Sequence, residues 1–88
     1  MKKNQFHFPL INPSDFYDLE HYLEHIKEEI KEFEEETDPE KKRKEAVDIL
    51  HASETFVRKY FERTEGSTFN EVKKAVITKN RKRGYYKN

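Results

Sequence analysis

The sequence predicts an all-α fold, in which two long helices form an antiparallel hairpin and a shorter third helix follows. Apolar residues recur at steps of three and four on both sides of Asp38-Pro39, the spacing of core-facing helices. Asp38-Pro39 itself is typical of a helix start, because Asp caps a helix and Pro suits its first position. A capping box, Thr68-x-x-Glu71, predicts the start of the last helix.

The first eleven residues predict an extended arm. Its apolar side chains alternate with polar ones, at Phe6, Phe8 and Leu10. We expect these side chains to cover the hairpin rather than to bind a ligand. Asn12-Pro13 then predicts the cap and first turn of helix one, which runs from 13 to about 36.

The second helix is predicted from 39 to about 63, after the hinge at Asp38-Pro39. The third follows Thr68 and ends before Gly84, since glycine commonly terminates helices. Residues 84–88 form a basic and aromatic tail. With 88 residues and no Ser/Gly-rich linker, the chain reads as one helical domain, 1–88.

The apolar stripes predict how the two long helices pair. The first stripe is Phe16, Leu19, Leu23, Ile26, Ile30 and Phe33. The second is Ala46, Leu50, Ser53, Val57 and Tyr60. Folding at the hinge sets position 30 opposite 46 and position 16 opposite 60, so we expect these stripes to face each other.

The same pairing brings four carboxylates together. Glu29 and Glu32 lie one turn apart on the first helix, as Glu45 and Asp48 do on the second. Glu32 then lies level with Glu45, and Glu29 level with Asp48. Four such charges repel one another unless a cation joins them, and a site without thiolates favours Mg²⁺, or Mn²⁺ as its substitute. The competing interpretation pairs these acids with surface lysines, namely Lys27, Lys31, Lys41 and Lys44.

Composition predicts a thin core. Only 33% of residues are hydrophobic, 41% are charged, and the mean hydropathy is −1.21. We therefore expect a homodimer or homotetramer that completes the helical bundle. There is no cysteine, and no stretch approaches the roughly 20 apolar residues of a membrane span. These features favour a soluble, cytoplasmic protein with no disulfides and no membrane partner.

Charge is unevenly distributed, although 18 basic and 18 acidic residues balance. Residues 20–40 hold ten acids against two lysines, and residues 73–88 hold seven bases and no acid. This asymmetry fits an acidic, metal-binding face and a basic, phosphate-binding segment that meet at one anionic ligand. The simpler interpretation is that both are solvated surfaces.

The carboxylate motif carries a family resemblance. Glu28-Glu29-x-x-Glu32, twelve intervening residues, then Glu45-x-x-Asp48 resembles the EExxE…ExxD signature of the MazG-like, all-α nucleoside triphosphate pyrophosphohydrolases. The run EAVDILHA at 45–52 is similar to the second metal-binding helix of that family. The segment KNRKRGYY at 79–86 is similar to the basic segment that follows the next helix in the family.

The resemblance implies an enzyme that cleaves a (d)NTP between the α and β phosphates, giving (d)NMP and pyrophosphate. It implies catalytic and Mg²⁺-binding roles for Glu29, Glu32, Glu45 and Asp48. Glu28 would stand behind the ligands or form a salt bridge. The substrate-binding residues would be Lys79, Asn80, Arg83 and Tyr86. The short spacing between the motifs and the absence of tryptophan depart from the family and leave the preferred base open.

Two other functions remain open. In the first, the chain is a non-catalytic, homo-oligomeric interaction module of the same fold. In the second, it is a nucleic-acid-binding protein whose basic tail contacts the nucleic-acid backbone while tyrosines stack on bases. The nearby acids oppose a polyanion, which makes the nucleic-acid alternative the weaker one. His51, one turn after Asp48, is expected to pack or bond to a neighbour rather than to touch substrate.

Overall fold

The computed structural model describes residues 7–9, 11 and 17–87, and within these the fold is all-helical. The helices are α1 (Leu19–Glu35), α2 (Pro39–Arg63) and α3 (Phe69–Lys82). The first two pack against each other as an antiparallel hairpin. This confirms the predicted fold class, with three helices and no strand among the described residues.

The start of α1 differs from the prediction. Tyr17 and Asp18 are not helical, so the expected start at position 13 is wrong. Asp18 caps the helix instead, because its side chain accepts a hydrogen bond from the backbone N–H of His21 at 2.9 Å. The expected cap at Asn12-Pro13 and the stripe residue Phe16 lie outside the described residues.

The hinge is as predicted. Asp38 caps α2 by accepting a hydrogen bond from the backbone N–H of Lys41 at 2.9 Å, and Pro39 opens the helix. Lys42 then closes the end of α1: its Nζ donates to the carbonyl oxygens of Phe33 at 2.6 Å and Glu36 at 3.3 Å. Because α1 has no basic residue in its last turn, this lysine supplies the positive charge that a helix C-terminus favours.

The capping box of α3 is confirmed, with Thr68 and Glu71 hydrogen-bonded in both directions. Gly84 follows the helix with a φ of +73°, the left-handed conformation that glycine adopts without strain. The start of α3 touches the hairpin where Phe69 meets Phe61 edge to face, with ring centroids 5.7 Å apart. Otherwise the helix makes little contact with α1 and α2.

The face of α2 that packs on α1 lies one position away from the predicted stripe. Tyr22 of α1 and Ala52 of α2 are buried, at 3% and 6% exposed. Ala46, Leu50, Tyr60 and Ile30 of the predicted stripes are exposed, so this part of the prediction is wrong. One residue turns a helix by about 100°, and α2 carries apolar side chains on both adjacent faces. Periodicity alone therefore did not distinguish them.

None of the three described helices combines the length and the apolar composition needed to cross a bilayer.

Candidate metal centre

Three of the predicted carboxylates converge across the hairpin. One oxygen each from Glu29, Glu32 and Glu45 lies within 4.8 Å of the other two. Glu29 and Glu32 share a face of α1 because they stand one turn apart, and the hinge at Asp38 sets Glu45 opposite them. The hairpin thus brings three acids from two helices to one point.

The two oxygens of Glu29 have different surroundings. Oε1 lies 3.2 Å from Nε2 of His25, one turn earlier on α1. Oε2 is buried and has no hydrogen-bond partner within residues 7–9, 11 and 17–87, and the same is true of Oε2 of Glu45. Buried polar atoms without a partner are uncommon in folded proteins, and each one calls for a ligand, a water or an ion. Both of these oxygens belong to the carboxylate cluster.

The pKa values of two carboxylates in the cluster are also shifted. Burial raises the pKa of Glu29, and the charge of Glu32 raises it further, while His25 partly opposes the shift. Burial also raises the pKa of Glu45, together with the charges of Glu32 and Asp48. Glu29 and Glu45 are therefore harder to ionise than in water, because both are partly removed from solvent and lie beside other negative charges.

Asp48 stands at the edge of this cluster. It is exposed, and its oxygens are not among the three that come within 4.8 Å of one another. Its charge nevertheless acts on both Glu29 and Glu45. Glu28 is exposed and forms no hydrogen bond or ion pair with any described residue.

The four lysines that the competing interpretation pairs with these acids form no ion pair with the cluster. Lys27 pairs with Glu24 at 3.0 Å, and Lys31 lies 3.9 Å from Glu35. Lys41 and Lys44 form no ion pair with the part of the chain that the structure describes. None of the four lysines thus neutralises the cluster.

A cavity of about 190 Å³ adjoins the cluster between α1, α2 and the arm. It is lined by Ile11, Tyr17, His21, Tyr22, His25, Glu29, Asp48, His51, Ala52 and Thr55. One end is therefore acidic and the rest is mostly aromatic. The sequence reasoning overlooked His21 and His25, although the spacing of His25 and Glu29, four apart on one helix, is a signal that reveals their contact.

His51 belongs to this cavity wall as well as to the packing of the arm. The ring of Phe8 stacks on it at 4.6 Å, which agrees with the expectation that the aromatic residues of the arm cover the hairpin. The Nε2 atom of His51 is buried and has no hydrogen-bond partner.

The predicted substrate-binding residues gather at the end of α3. Lys79 lines an open groove with Lys74, Ala75, Thr78 and Lys82. The amide of Asn80 donates to the hydroxyl of Tyr86 at 3.5 Å, and the guanidinium of Arg83 lies over the ring of Tyr85 at 5.3 Å. No hydrogen bond or ion pair among the described residues joins this group to the carboxylates.

Comparison with family models, curated proteins and solved structures finds no match to the chain. The interpretation of the centre therefore depends on its own geometry and chemistry. Oxygen ligands only, two of them buried and unpartnered, form a donor set that suits a hard divalent cation.

Proposed function

We propose that the chain is a cytoplasmic, Mg²⁺-dependent nucleoside triphosphate pyrophosphohydrolase, which converts a (d)NTP to (d)NMP and pyrophosphate. The observation that carries the proposal is the convergence of Glu29, Glu32 and Glu45, with two buried oxygens that no group among the described residues satisfies. Asp48 completes the set from the edge of the cluster. The resemblance of these acids to the EExxE…ExxD signature supplies the substrate class.

The donor set selects the metal. Carboxylates without thiolate or a close histidine pair favour Mg²⁺, with Mn²⁺ as a substitute. A bound Mg²⁺ stabilises negative charge on phosphate oxygens and makes a coordinated water a better nucleophile at neutral pH. The role of this chain's own acids is to hold that ion, and the role of His25 is to hold Oε1 of Glu29 so that Oε2 stays free.

The cations of α3 suit the phosphates. Lys79 and Arg83 stand one turn apart at the C-terminal end of the helix, and Lys74, Lys79 and Lys82 share one groove. Arginine binds phosphate oxygens in pairs, and lysine adds a point charge. In this proposal Lys79 and Arg83 neutralise the phosphates, while Asn80 and Tyr86 contact the sugar or the base.

We further propose that the active form is a homodimer or homotetramer. Large apolar side chains remain exposed on all three helices: Ile30 on α1, Val47 and Leu50 on α2, and Val72 and Val76 on α3. Val47 and Leu50 are about half exposed, at 51% and 50%. Assembly through these surfaces would bury them, and would bring α3 of one copy to the carboxylates of another.

The test is hydrolysis of the eight common NTPs and dNTPs with Mg²⁺, scored for pyrophosphate. Glu45→Gln removes one carboxylate of the cluster, and Glu40→Gln is its matched control on the exposed first turn of the same helix. The expected result is pyrophosphate release that Glu45→Gln abolishes and Glu40→Gln preserves. Orthophosphate as the product, or full activity in Glu45→Gln, contradicts the proposal.

Two results would favour the alternatives instead. Mg²⁺ binding without hydrolysis of any nucleotide favours a non-catalytic interaction module. Salt-sensitive binding of oligonucleotides that needs no Mg²⁺ favours a nucleic-acid-binding protein, for which the open groove lined by Lys74, Lys79 and Lys82 is the specific support.

A further inference from the structure

The N-terminal arm is bound to α2 through its backbone. Glu54 accepts hydrogen bonds from the backbone N–H of His7 at 3.1 Å and of Phe8 at 3.1 Å. The Nδ1 atom of His7 lies 2.6 Å from the same carboxylate. One turn later, the guanidinium of Arg58 donates to the carbonyl oxygen of Phe8 at 2.8 Å. Glu54 thus binds backbone N–H groups of the arm, and Arg58 binds a backbone carbonyl of the same short stretch.

The sequence of the arm suits this arrangement. The residue before a proline avoids the helical region, so Pro9 favours an extended Phe8 before docking takes place. Proline has no N–H, and the two donors that Glu54 binds belong to the two residues immediately before it. The ring of Phe8 then stacks on His51, one turn before Glu54 and Thr55 on α2. Backbone and side chain contacts therefore fix the same short segment.

Glu54 is an unusual surface acid in this chain. Its side chain is only 14% exposed, whereas that of His7 is 84% exposed. Neither Glu54 nor Arg58 belongs to the carboxylate cluster, and both form hydrogen bonds with the arm. The docked arm lies beside the cavity. His51 and Thr55, on either side of Glu54, line the cavity near Glu29 and Asp48. Ile11 of the arm forms another part of the cavity wall.

We propose that Glu54, Arg58 and residues 7–9 form a latch. The docked arm closes the cavity that adjoins Glu29, and release of the arm from Glu54 and Arg58 opens it. The occupant of the α2 surface is the arm of the same chain. The latch itself does not depend on the proposed hydrolase; only its consequence for substrate entry rests on that function.

The chain has no cysteine, so one introduced thiol reports access to the cavity. Thr55→Cys places it in the cavity wall, at a half-buried position. Its rate of alkylation by the uncharged reagent N-ethylmaleimide is compared with that of Ser67→Cys, at an exposed position between α2 and α3. We expect slow labelling at position 55 and fast labelling at position 67.

One of two further substitutions is then added to each cysteine variant; one acts on the arm and the other on α2. Phe8→Ala removes the ring from His51 without altering α2, and Glu54→Ala removes the acceptor of the backbone amides. Glu54→Ala is expected to speed labelling of Thr55→Cys by at least about tenfold, the lower range for loss of one hydrogen bond to a charged group. Phe8→Ala is expected to speed it as well, because the stacked ring no longer holds the arm on His51. Neither should change labelling of Ser67→Cys. Glu65→Ala, an exposed acid beyond α2, is the matched control for Glu54→Ala and should change neither rate.

Folding and the origin of the arm are checked in the same samples. Circular dichroism shows whether each variant keeps its helices, and amide exchange of His7 and Phe8 by NMR should accelerate in Glu54→Ala. Labelling at position 55 that is already fast, or that neither substitution changes, overturns the latch. Labelling rates that fall as protein concentration rises also overturn it, because the arm would then come from a second copy.

For the hydrolase, the consequence is separable from these results. An open latch should change kcat/KM for the nucleotide. If thiol labelling responds and no nucleotide is hydrolysed, the latch stands and the proposed function fails.

Discussion

At the residue scale, Glu45 shows how a functional group opposes stability. Its folded-state pKa is raised, so the folded chain holds more protons at this site than the unfolded chain does. The contribution of Glu45 to the free energy of unfolding of the metal-free protein therefore falls as pH rises above about 4.3, where glutamate ionises in the unfolded chain. A bound cation removes that cost by favouring the ionised form.

The first prediction follows from this sign. Glu45→Gln should raise the melting temperature of the metal-free protein at pH 7 and remove most of the further increase that Mg²⁺ gives the unmodified chain. Its kcat/KM should fall by more than about 100-fold, the upper range for loss of a group that merely supports a metal ligand. Differential scanning calorimetry with and without Mg²⁺ measures the first effect. A lower melting temperature of the metal-free variant would contradict the repulsion argument.

His25 provides a second prediction at this scale. Because its Nε2 holds Oε1 of Glu29, His25→Ala should weaken Mg²⁺ binding by about tenfold. His25→Gln keeps a side-chain N–H donor and should recover part of the affinity. Isothermal titration calorimetry measures both variants. Equal losses in the two would show that the contact does not orient the carboxylate.

The sequence predicted that four carboxylates meet; three of them do, and Asp48 lies at the edge of the cluster. The spacing of Glu29, Glu32 and Glu45 around the hinge was sufficient to predict their convergence, since helix geometry fixes which residues share a face. The surroundings of the cluster were not predicted. The cavity was not foreseen, because Ile11 and His51 come together only when the arm docks on α2. Contacts between residues far apart in the chain leave no periodic signal.

At the element scale, helix starts were predictable where a single cap is available. Asp38-Pro39 and Thr68 each offer one strong cap, and both helices begin there. Before α1 the sequence predicted a cap at Asn12-Pro13, but Asp18 caps the helix. Local preference did not identify Asp18, because tertiary context routinely overrides it.

The packing of α1 on α2 gives the third prediction. Ala52 is buried where α2 meets α1 and also lines the cavity, so part of the three carbons that Ala52→Leu adds can enter the cavity. The substitution should therefore cost about 1 kcal/mol of unfolding free energy, the lower end of the range for overpacking. Ala75→Leu, at an exposed position on α3, is the matched control and should change stability little. Urea unfolding measures both. Equal effects would mean that Ala52 is not at a packed interface.

The contact between the arm and α2 gives the fourth. Burial acts to raise the pKa of Glu54, but the hydrogen bonds from the side chain and backbone of His7 and from Phe8 outweigh it, so the pKa is lowered. The stability that Glu54 contributes is therefore present above about pH 4.3 and lost as pH falls through its lower folded-state value. Glu54→Gln should therefore reduce the loss of stability at acid pH. The measurement is the difference in unfolding free energy between Glu54→Gln and the unmodified protein as pH changes. A difference that does not change between pH 5 and pH 3 would exclude a docked arm.

At the scale of the whole molecule, the separation of α3 from the hairpin matters most. Its cations form no hydrogen bond or ion pair with the carboxylates in the described residues, and Val72 and Val76 remain exposed. If each helix carried only one hydrophobic stripe, the stripes of α1 and α2 would be buried against each other within the hairpin. The second apolar face of α2, with Val47 and Leu50, explains both the mistaken pairing and the expectation of assembly.

The fifth prediction tests this assembly directly. Glu45→Gln and Lys79→Ala should each be inactive alone, and mixing the two proteins should restore pyrophosphate release if α3 of one copy serves the carboxylates of another. Leu50→Glu should shift the protein to a monomer by light scattering and prevent the recovery. Two inactive proteins that stay inactive when mixed would place the cations and the acids of each site in the same chain.

The docked arm also has a consequence for the order in which the chain folds. The contacts of α1 with α2 join neighbouring elements, which favours formation within about micro- to milliseconds. The contacts of the arm with Glu54 and Arg58 span 46 to 50 residues and hold a short stretch that lies outside any helix. We therefore expect the arm to dock after the hairpin has formed and to detach before it when the folded chain fluctuates.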